Sequence, residues 1–197
     1  MKKILTLVAL VGAMTMQAQD GSRWGVRTGL NYNLSPITLD DAVATGQSLV
    51  EGDMQDNGYH IGLFGRQMLG DQLYVSTSLI YGKNQHFLHG LDANGDLYFE
   101  RMDNNFAQLD ASLGLRLIKT VRAEGGVHLQ SDLGQSNFSN TFDASTAGFN
   151  LGVGVDLWKL SFDLTYYSSF MEHSGDWNGI PLAYDRTQLL FSIGVKL

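Results

Sequence analysis

Residues 106–131 read FAQLDASLGLRLIKTVRAEGGVHLQS, and this stretch decides the fold. Leucine and alanine fill every odd position from 107 to 117, whereas Asp110 and Arg116 lie on the even positions between them. An apolar face with a period of two residues predicts a β-strand. The alternation resumes directly after Lys119-Thr120, and so short a connection joins antiparallel neighbours. The stretch is therefore predicted to be a hairpin with one apolar face.

The same period recurs in eight segments along the chain, each of roughly 10–13 residues, which is the length of a tilted strand that crosses a membrane. The segments are 23–33, 58–68, 72–83, 106–118, 121–131, 146–157, 160–170 and 186–197. Their connections alternate in length, since 69–71, 119–120 and 158–159 are short, whereas 34–57, 84–105, 132–145 and 171–185 are long. The pattern predicts an all-β protein, an eight-stranded antiparallel up-and-down transmembrane β-barrel with short periplasmic turns and long extracellular loops. A Greek-key sandwich has no reason to produce such alternation.

One face of the eight segments carries no charge, and the other face carries the charges and most of the strand glycines. A soluble lipocalin-like barrel would turn the apolar face inward, and a membrane barrel would turn it toward lipid. Glycines inside a narrow barrel leave room for large side chains, whereas on a solvated face they only weaken the strands. Aromatic residues near both strand ends, such as Trp24, Tyr81 and Trp158, are typical of interfacial girdles. We therefore predict that the apolar face contacts lipid.

The charged face is then enclosed in the lumen, where charges must be paired. The candidate lumen charges are Arg23, Arg27, Arg66, Asp110, Arg116, Arg122, Glu124, Asp156, Asp163 and Lys196, and Arg186 lies on the same face. We expect an Arg–carboxylate network that fills the bore as a structural core. The alternative is an ion-selective constriction.

Residues 1–18 have the pattern of a secretory signal peptide. A short basic start at 1–3 precedes an apolar stretch, 4–14, which is too short to anchor the chain in a bilayer. We expect cleavage after Ala18. Residues 19–197 then form a single outer-membrane β-barrel domain.

Composition excludes several classes of function. The 197 residues carry a formal charge of −7 and contain no cysteine. The net negative charge argues against a protein that binds nucleic acid. The lack of cysteine excludes disulfides, metal sites with thiolate ligands and catalysis by a thiol. No Gly-x-Ser-x-Gly elbow, metalloprotease motif or phosphate-binding glycine loop is present. We therefore expect a protein that is not an enzyme and that has no catalytic residues and no cofactor.

The long connections are acidic and hold the nearest approach to a metal motif. They carry a net charge of −13, against +4 for the rest of the chain after residue 18. Residues 92–96, DANGD, resemble the start of a calcium loop, but the glycine is misplaced and the closing glutamate is absent. Asn-Gly is also a preferred hairpin centre, so 86–91 and 97–101 are predicted to extend two strands beyond the membrane. No metal site is expected, and the acidic loops are interpreted as a solvated surface, with binding of divalent cations or a basic partner as the alternative.

Three segments resemble the PorT-like family of small outer-membrane β-barrels: 58–66 GYHIGLFGR, 73–82 LYVSTSLIYG and 190–197 LFSIGVKL. The resemblance covers essentially the whole chain after residue 18. It implies an outer-membrane barrel in contact with lipid, and a link to secretion machinery in some members. It transfers no catalytic residues.

The sequence thus predicts a monomeric, non-enzymatic integral outer-membrane barrel with a structural or interaction role. Surface or secretion-machinery proteins are the candidate partners. The alternatives are a narrow porin-like channel and a secretion-accessory barrel.

Overall fold

The computed structural model describes residues 23–34, 37–39, 57–91, 97–133, 145–171, 173–177, 180–184 and 186–197. The strands are β1 (Arg23–Asn33), β2 (Ile37–Leu39), β3 (Asn57–Met68), β4 (Leu73–Leu91), β5 (Leu97–Arg116), β6 (Val121–Leu133), β7 (Ser145–Leu157), β8 (Leu160–Ser169), β9 (His173–Trp177), β10 (Ile180–Tyr184) and β11 (Thr187–Lys196). Eight of them close a barrel in the order β1-β11-β8-β7-β6-β5-β4-β3. All the pairings are antiparallel, so the predicted fold class is confirmed.

The barrel strands are strongly staggered. The stagger is seen by following the paired residues once around the barrel from Trp24 on β1. Each residue is paired with the next one, in the order Gly65, Thr77, Ala111, Val127, Phe149, Ser168 and Thr187. The circuit ends at Leu34, ten residues beyond its start, where the Leu34 amide donates to the Thr187 carbonyl at 2.8 Å. A shear of this size in eight strands tilts them by about 40° from the barrel axis.

The two faces of the wall follow the sequence alternation. Leu113 is 60% and Val153 is 55% exposed on the outside, whereas Arg27 and Asp110 are 6% and 4% exposed on the inside. The outward side chains of the barrel wall form the apolar surface that a bilayer requires, as the sequence predicted. No helix in the described ranges has both the length and the apolar character needed to cross a membrane.

Tight turns join the strands at one end of the barrel. The Leu157–Leu160 pair closes a two-residue turn in which Trp158 has a φ of 53°. Left-handed backbone is what such a two-residue hairpin turn needs, although it is uncommon for a side chain as large as tryptophan. Trp158 consequently projects from the turn and is 88% exposed.

The opposite end carries more structure than the sequence predicted. The register of β4 and β5 continues to Leu91 and Leu97, as expected, and the predicted 92–96 tip lies outside the described residues. Residues 34–57 and 171–185 were predicted to be loops, and this is wrong in part, because β2, β10 and β9 form a small antiparallel sheet. These strands contain 3, 5 and 5 residues, too few to establish a period of two.

Candidate functional site in the barrel lumen

The inward face of the strands combines large charged side chains with glycines that make room for them. A Cβ added to Gly154 would overlap the Arg122 guanidinium and the Asp163 carboxylate. A Cβ at Gly114 would overlap the Tyr74 ring, and one at Gly82 would overlap the Phe106 ring. The glycines therefore allow a narrow barrel to enclose bulky groups, as the sequence predicted.

Ion pairs crowd the lumen next to the tight turns. Asp156 forms ion pairs with Arg66 at 3.2 Å, Lys196 at 3.3 Å and the Arg122 Nε at 3.5 Å. Arg122 also pairs with Asp163 and donates to the Ser161 hydroxyl at 2.8 Å. We call Arg66, Arg122, Asp156, Asp163 and Lys196 the turn-end cluster. It ties β3, β6, β7, β8 and β11 together across the bore.

A single ion pair spans the middle of the lumen. Arg27 on β1 donates to Asp110 on β5 at 3.2 Å. Asp110 also accepts from Gln108 at 2.8 Å and from the Tyr167 hydroxyl at 2.9 Å. The carboxylate therefore has three charged or polar partners, which compensate for its nearly complete burial.

Next to this pair lies an apolar cluster inside the barrel. It consists of Ile80, Phe106, Tyr167 and Leu190, which come from β4, β5, β8 and β11. Their exposed fractions lie between 0% and 4%. Tyr167 connects the cluster to the central pair through its hydroxyl, and its ring meets that of His128 edge-on with centroids 5.2 Å apart.

Another ion pair lies toward the loop end. Arg186 donates to both Asp132 oxygens, at 3.0 and 3.2 Å, and Asn104 donates to the same carboxylate at 3.0 Å. Asp132 begins the connection 132–145, which was predicted to be an acidic loop, and this prediction is wrong for Asp132, because its side chain is 0% exposed. The missed signal was its parity, since Arg122 and Asp132 lie an even number of residues apart and so point to the same side of β6.

The remaining candidate charges have different surroundings. Glu124 accepts a hydrogen bond from the Tyr74 hydroxyl at 3.1 Å, and Arg116 lies 3.6 Å from the Met68 sulfur. Arg23 differs from expectation in being exposed, because it is the first residue of β1, at the turn end of the barrel.

Sequence reasoning also missed the uncharged polar residues of the lumen. His60 contacts the Asn31 side-chain oxygen at 2.6 Å and the Ser192 hydroxyl at 2.8 Å. Asn31 donates onward to Asn84 at 3.0 Å. These residues lie on the same inward face of their strands, but the sequence prediction used only the charges and the glycines of that face. Within the described ranges, no three His, Cys, Asp or Glu side chains are grouped so that they could hold a metal ion.

A family model described as the outer membrane protein beta-barrel domain matches residues 5–196. The chain belongs to this family. The match spans nearly the full sequence and agrees with a closed barrel that is apolar outside and charged inside. No curated protein matches the chain.

Solved outer-membrane proteins share the architecture. OprG from Pseudomonas aeruginosa has a TM-score of 0.54 and 14% identity over 92% of this chain and 98% of OprG. Ail, the attachment invasion locus protein of Yersinia pestis, has a TM-score of 0.41 and 13% identity over 89% of this chain and 99% of Ail. AlkL, solved in lipid bilayers, has a TM-score of 0.44 and 10% identity over 91% of this chain and 90% of AlkL. At these identities the likeness to OprG shows the fold alone.

Family membership and fold together place this chain in the outer membrane. In outer-membrane barrels the short turns face the periplasm and the longer loops face the outside. The turn-end cluster is accordingly on the periplasmic side, and the sheet of β2, β10 and β9 is on the extracellular side.

Proposed function

We propose that this outer-membrane barrel is non-conducting and acts at its extracellular end as a structural and interaction protein without enzymatic activity. The observation that carries the proposal is the apolar cluster of Ile80, Phe106, Tyr167 and Leu190 inside the lumen, at most 4% exposed. An ion that passed this level would have to shed its water and displace side chains that are already packed against one another, which costs several kcal/mol or more.

The ion pairs of the turn-end cluster support the same proposal. Asp156 and Asp163 are engaged by Arg66, Arg122 and Lys196 at the turn end. A conduction pathway needs sites that bind an ion and release it again. Carboxylates that already hold cationic side chains at hydrogen-bonding distance are poor sites of this kind, so the lumen serves best as a polar core.

The extracellular end supports an interaction role. The sheet of β2, β10 and β9 and the long β4–β5 hairpin provide paired strands beyond the barrel wall. The long connections of the sequence are strongly acidic, and an acidic surface attracts basic partners. We therefore propose a protein partner with a basic surface, which binds a barrel that is itself a monomer surrounded by outer-membrane lipid.

Conductance across a planar bilayer tests the proposal. The purified barrel is expected to give no discrete current steps. A double variant, Phe106→Ala with Leu190→Ala, removes two members of the apolar cluster and is expected to produce them. A matched control, Leu189→Ala with Phe191→Ala, removes similar volume from the outer wall and should remain silent.

Discrete steps in the unaltered protein that are lost on changing Arg27 or Asp163 would overturn the proposal. They would favour the narrow porin-like channel instead.

A PorT-like secretion-accessory role is the second candidate and rests on the sequence segments that resemble that family. It predicts that deletion of the gene abolishes export of a cargo, while other outer-membrane barrels still insert normally. Unchanged export of all secreted proteins in the deletion strain would dismiss this candidate.

A further inference from the structure

The lumen carries more positive than negative charge where it opens at the tight turns. Five cationic and three acidic side chains lie at inward positions of the strands at this end, which gives a net charge of +2. We call these eight side chains the periplasmic mouth: Arg23, Arg66, Arg116, Arg122 and Lys196, with Glu124, Asp156 and Asp163.

Strand pairing places like charges side by side in the periplasmic mouth. Arg116 on β5 is directly opposite Arg122 on β6, and Arg23 on β1 is directly opposite Arg66 on β3. Like charges at paired positions of a sheet repel each other and destabilise the pairing. Both arginine pairs therefore need negative charge nearby.

Three of the five cations have carboxylate partners. Arg66 pairs with Asp156 at 3.2 Å, and Lys196 pairs with the same carboxylate at 3.3 Å. Arg122 pairs with both Asp156 and Asp163. These two carboxylates are therefore engaged by the cations of β3, β6 and β11, and neither pairs with the cation of β5.

Arg116 is the cation of β5. Its guanidinium donates to the Met68 sulfur at 3.6 Å, and it forms no ion pair within the part of the chain that the structure describes. A thioether is a weak acceptor, whereas a guanidinium has five N–H donors. The nearby Glu124 accepts from the Tyr74 hydroxyl at 3.1 Å instead. Because Arg116 is partly exposed, its remaining donors are within reach of a solute.

We propose that the periplasmic mouth binds one phosphate group, with the Arg116 guanidinium as its main ligand. The planar guanidinium holds phosphate through two parallel N–H···O bonds. A phosphate monoester carries a charge of about −1.5 to −2 at pH 7, which matches the net charge of the mouth. Its binding also relieves the repulsion between Arg116 and Arg122. This site is independent of the interaction role proposed for the extracellular end.

Two sources of a phosphate group meet at this end of the barrel. The lumen opens toward the periplasm, so a soluble phosphate monoester has direct access to it. Trp24 and Trp158, which are 56% and 88% exposed, mark the same end as the level of the inner-leaflet interface, where phospholipid headgroups lie. The recognising chemistry is the same for both sources.

Isothermal titration of the full chain with inorganic phosphate, at fixed ionic strength and in a detergent without phosphate, tests the proposal. The unaltered barrel is expected to bind one phosphate. Arg116→Met removes the guanidinium and is expected to weaken binding by about tenfold or more. Lys119→Met is the matched control, because it removes an exposed cation from the turn that follows β5. Exposed charges are screened by salt, so this variant should change the affinity by less than about twofold.

A further variant separates the shape of the guanidinium from its charge. Arg116→Lys keeps the charge but loses the planar fork, so its affinity is expected to lie between those of the unaltered protein and Arg116→Met. Heat-modifiable gel migration shows whether each variant is a closed barrel. A lack of saturable binding by the unaltered barrel, or equal weakening by Arg116→Met and Lys119→Met, would overturn the proposal.

Competition identifies the source of the phosphate group. If a headgroup is the source, phosphatidylglycerol added to the detergent raises the apparent dissociation constant of the unaltered barrel for inorganic phosphate. If a soluble monoester is the source, the lipid leaves this constant unchanged and glycerol 3-phosphate raises it. The absence of competition by either compound would also overturn the proposal.

Discussion

Replacing Asp156 by asparagine tests whether the turn-end cluster stabilises the barrel. Asp156 is the shared ion-pair partner of Arg66, Arg122 and Lys196, at 3.2, 3.5 and 3.3 Å. The cationic side chains are only 9%, 3% and 9% exposed and the Asp156 side chain is 16% exposed, so water replaces the lost carboxylate poorly. Removing one member of a buried ion pair costs about 3–5 kcal/mol, and we expect Asp156→Asn to lower the free energy of unfolding by an amount in this range.

A second ion pair in the same chain provides the matched control. Lys83 and Asp103 lie closer, at 2.7 Å, but their side chains are 24% and 39% exposed. Exposed pairs contribute about 0–1 kcal/mol, so Asp103→Asn should have little effect. The comparison separates burial from distance, since the shorter pair is expected to matter less.

Guanidinium unfolding of the barrel in lipid vesicles, followed by tryptophan fluorescence, measures both variants. Adding Lys196→Met to Asp156→Asn removes one of the cations left without its carboxylate and is expected to recover part of the loss, which a double-mutant cycle quantifies. The reasoning is refuted if Asp156→Asn and Asp103→Asn are equally mild, or if the second change makes the first one worse.

Three other predictions concern the wall, the lumen and the N-terminus. Leu151→Arg, at the centre of β7, should lower the free energy of unfolding by about 2–4 kcal/mol in the same titration. Leu157→Arg, at the end of β7, should lower it by only about 0–1 kcal/mol, because the cost of a lipid-facing charge falls toward the interface. Equal losses would contradict the assigned membrane level. Gly154→Ala forces a methyl group against the Arg122 guanidinium and should lower the free energy of unfolding by about 1–3 kcal/mol. The methyl group of Gly70→Ala meets nothing within 4 Å, so this variant should be nearly as stable as the unaltered protein. The opposite ranking in a melting experiment would contradict the packing argument. Edman sequencing of the mature protein from membranes should begin at Gln19, and a start at Met1 would rule out the predicted cleavage.

The barrel was predictable because hydrocarbon imposes a strict rule on every crossing strand. Leu113 and Val153 must face lipid, and the residues beside them must then face the lumen, so the alternation alone determines the faces. The positions of the strand ends were harder to predict, because they depend on pairing beyond the membrane rather than on the polarity of the residues. Asp132 was assigned to a loop for that reason, although its parity matched that of Arg122.

The contents of the lumen were only partly predictable. Parity identified Asp110, Asp156 and Asp163 as inward, but distances across the bore depend on the stagger of the strands. No local pattern reveals that Asp156 pairs with three cations or that Phe106 and Leu190 belong to one apolar cluster inside the lumen. The sheet of β2, β10 and β9 was missed because its strands are too short to leave a periodic trace in the sequence.

Closure through β1 and β11 has a consequence for how the protein is made. β1 is among the first strands to be synthesised and β11 is the last, yet each completes the hydrogen bonding of the other from Gly25–Lys196 to Asn33–Gln188. A chain arrested before β11 would present two unpaired edges, which the bilayer interior does not tolerate. A stable barrel in the bilayer therefore needs all eight barrel strands, because without β11 the edges of β1 and β8 stay unpaired.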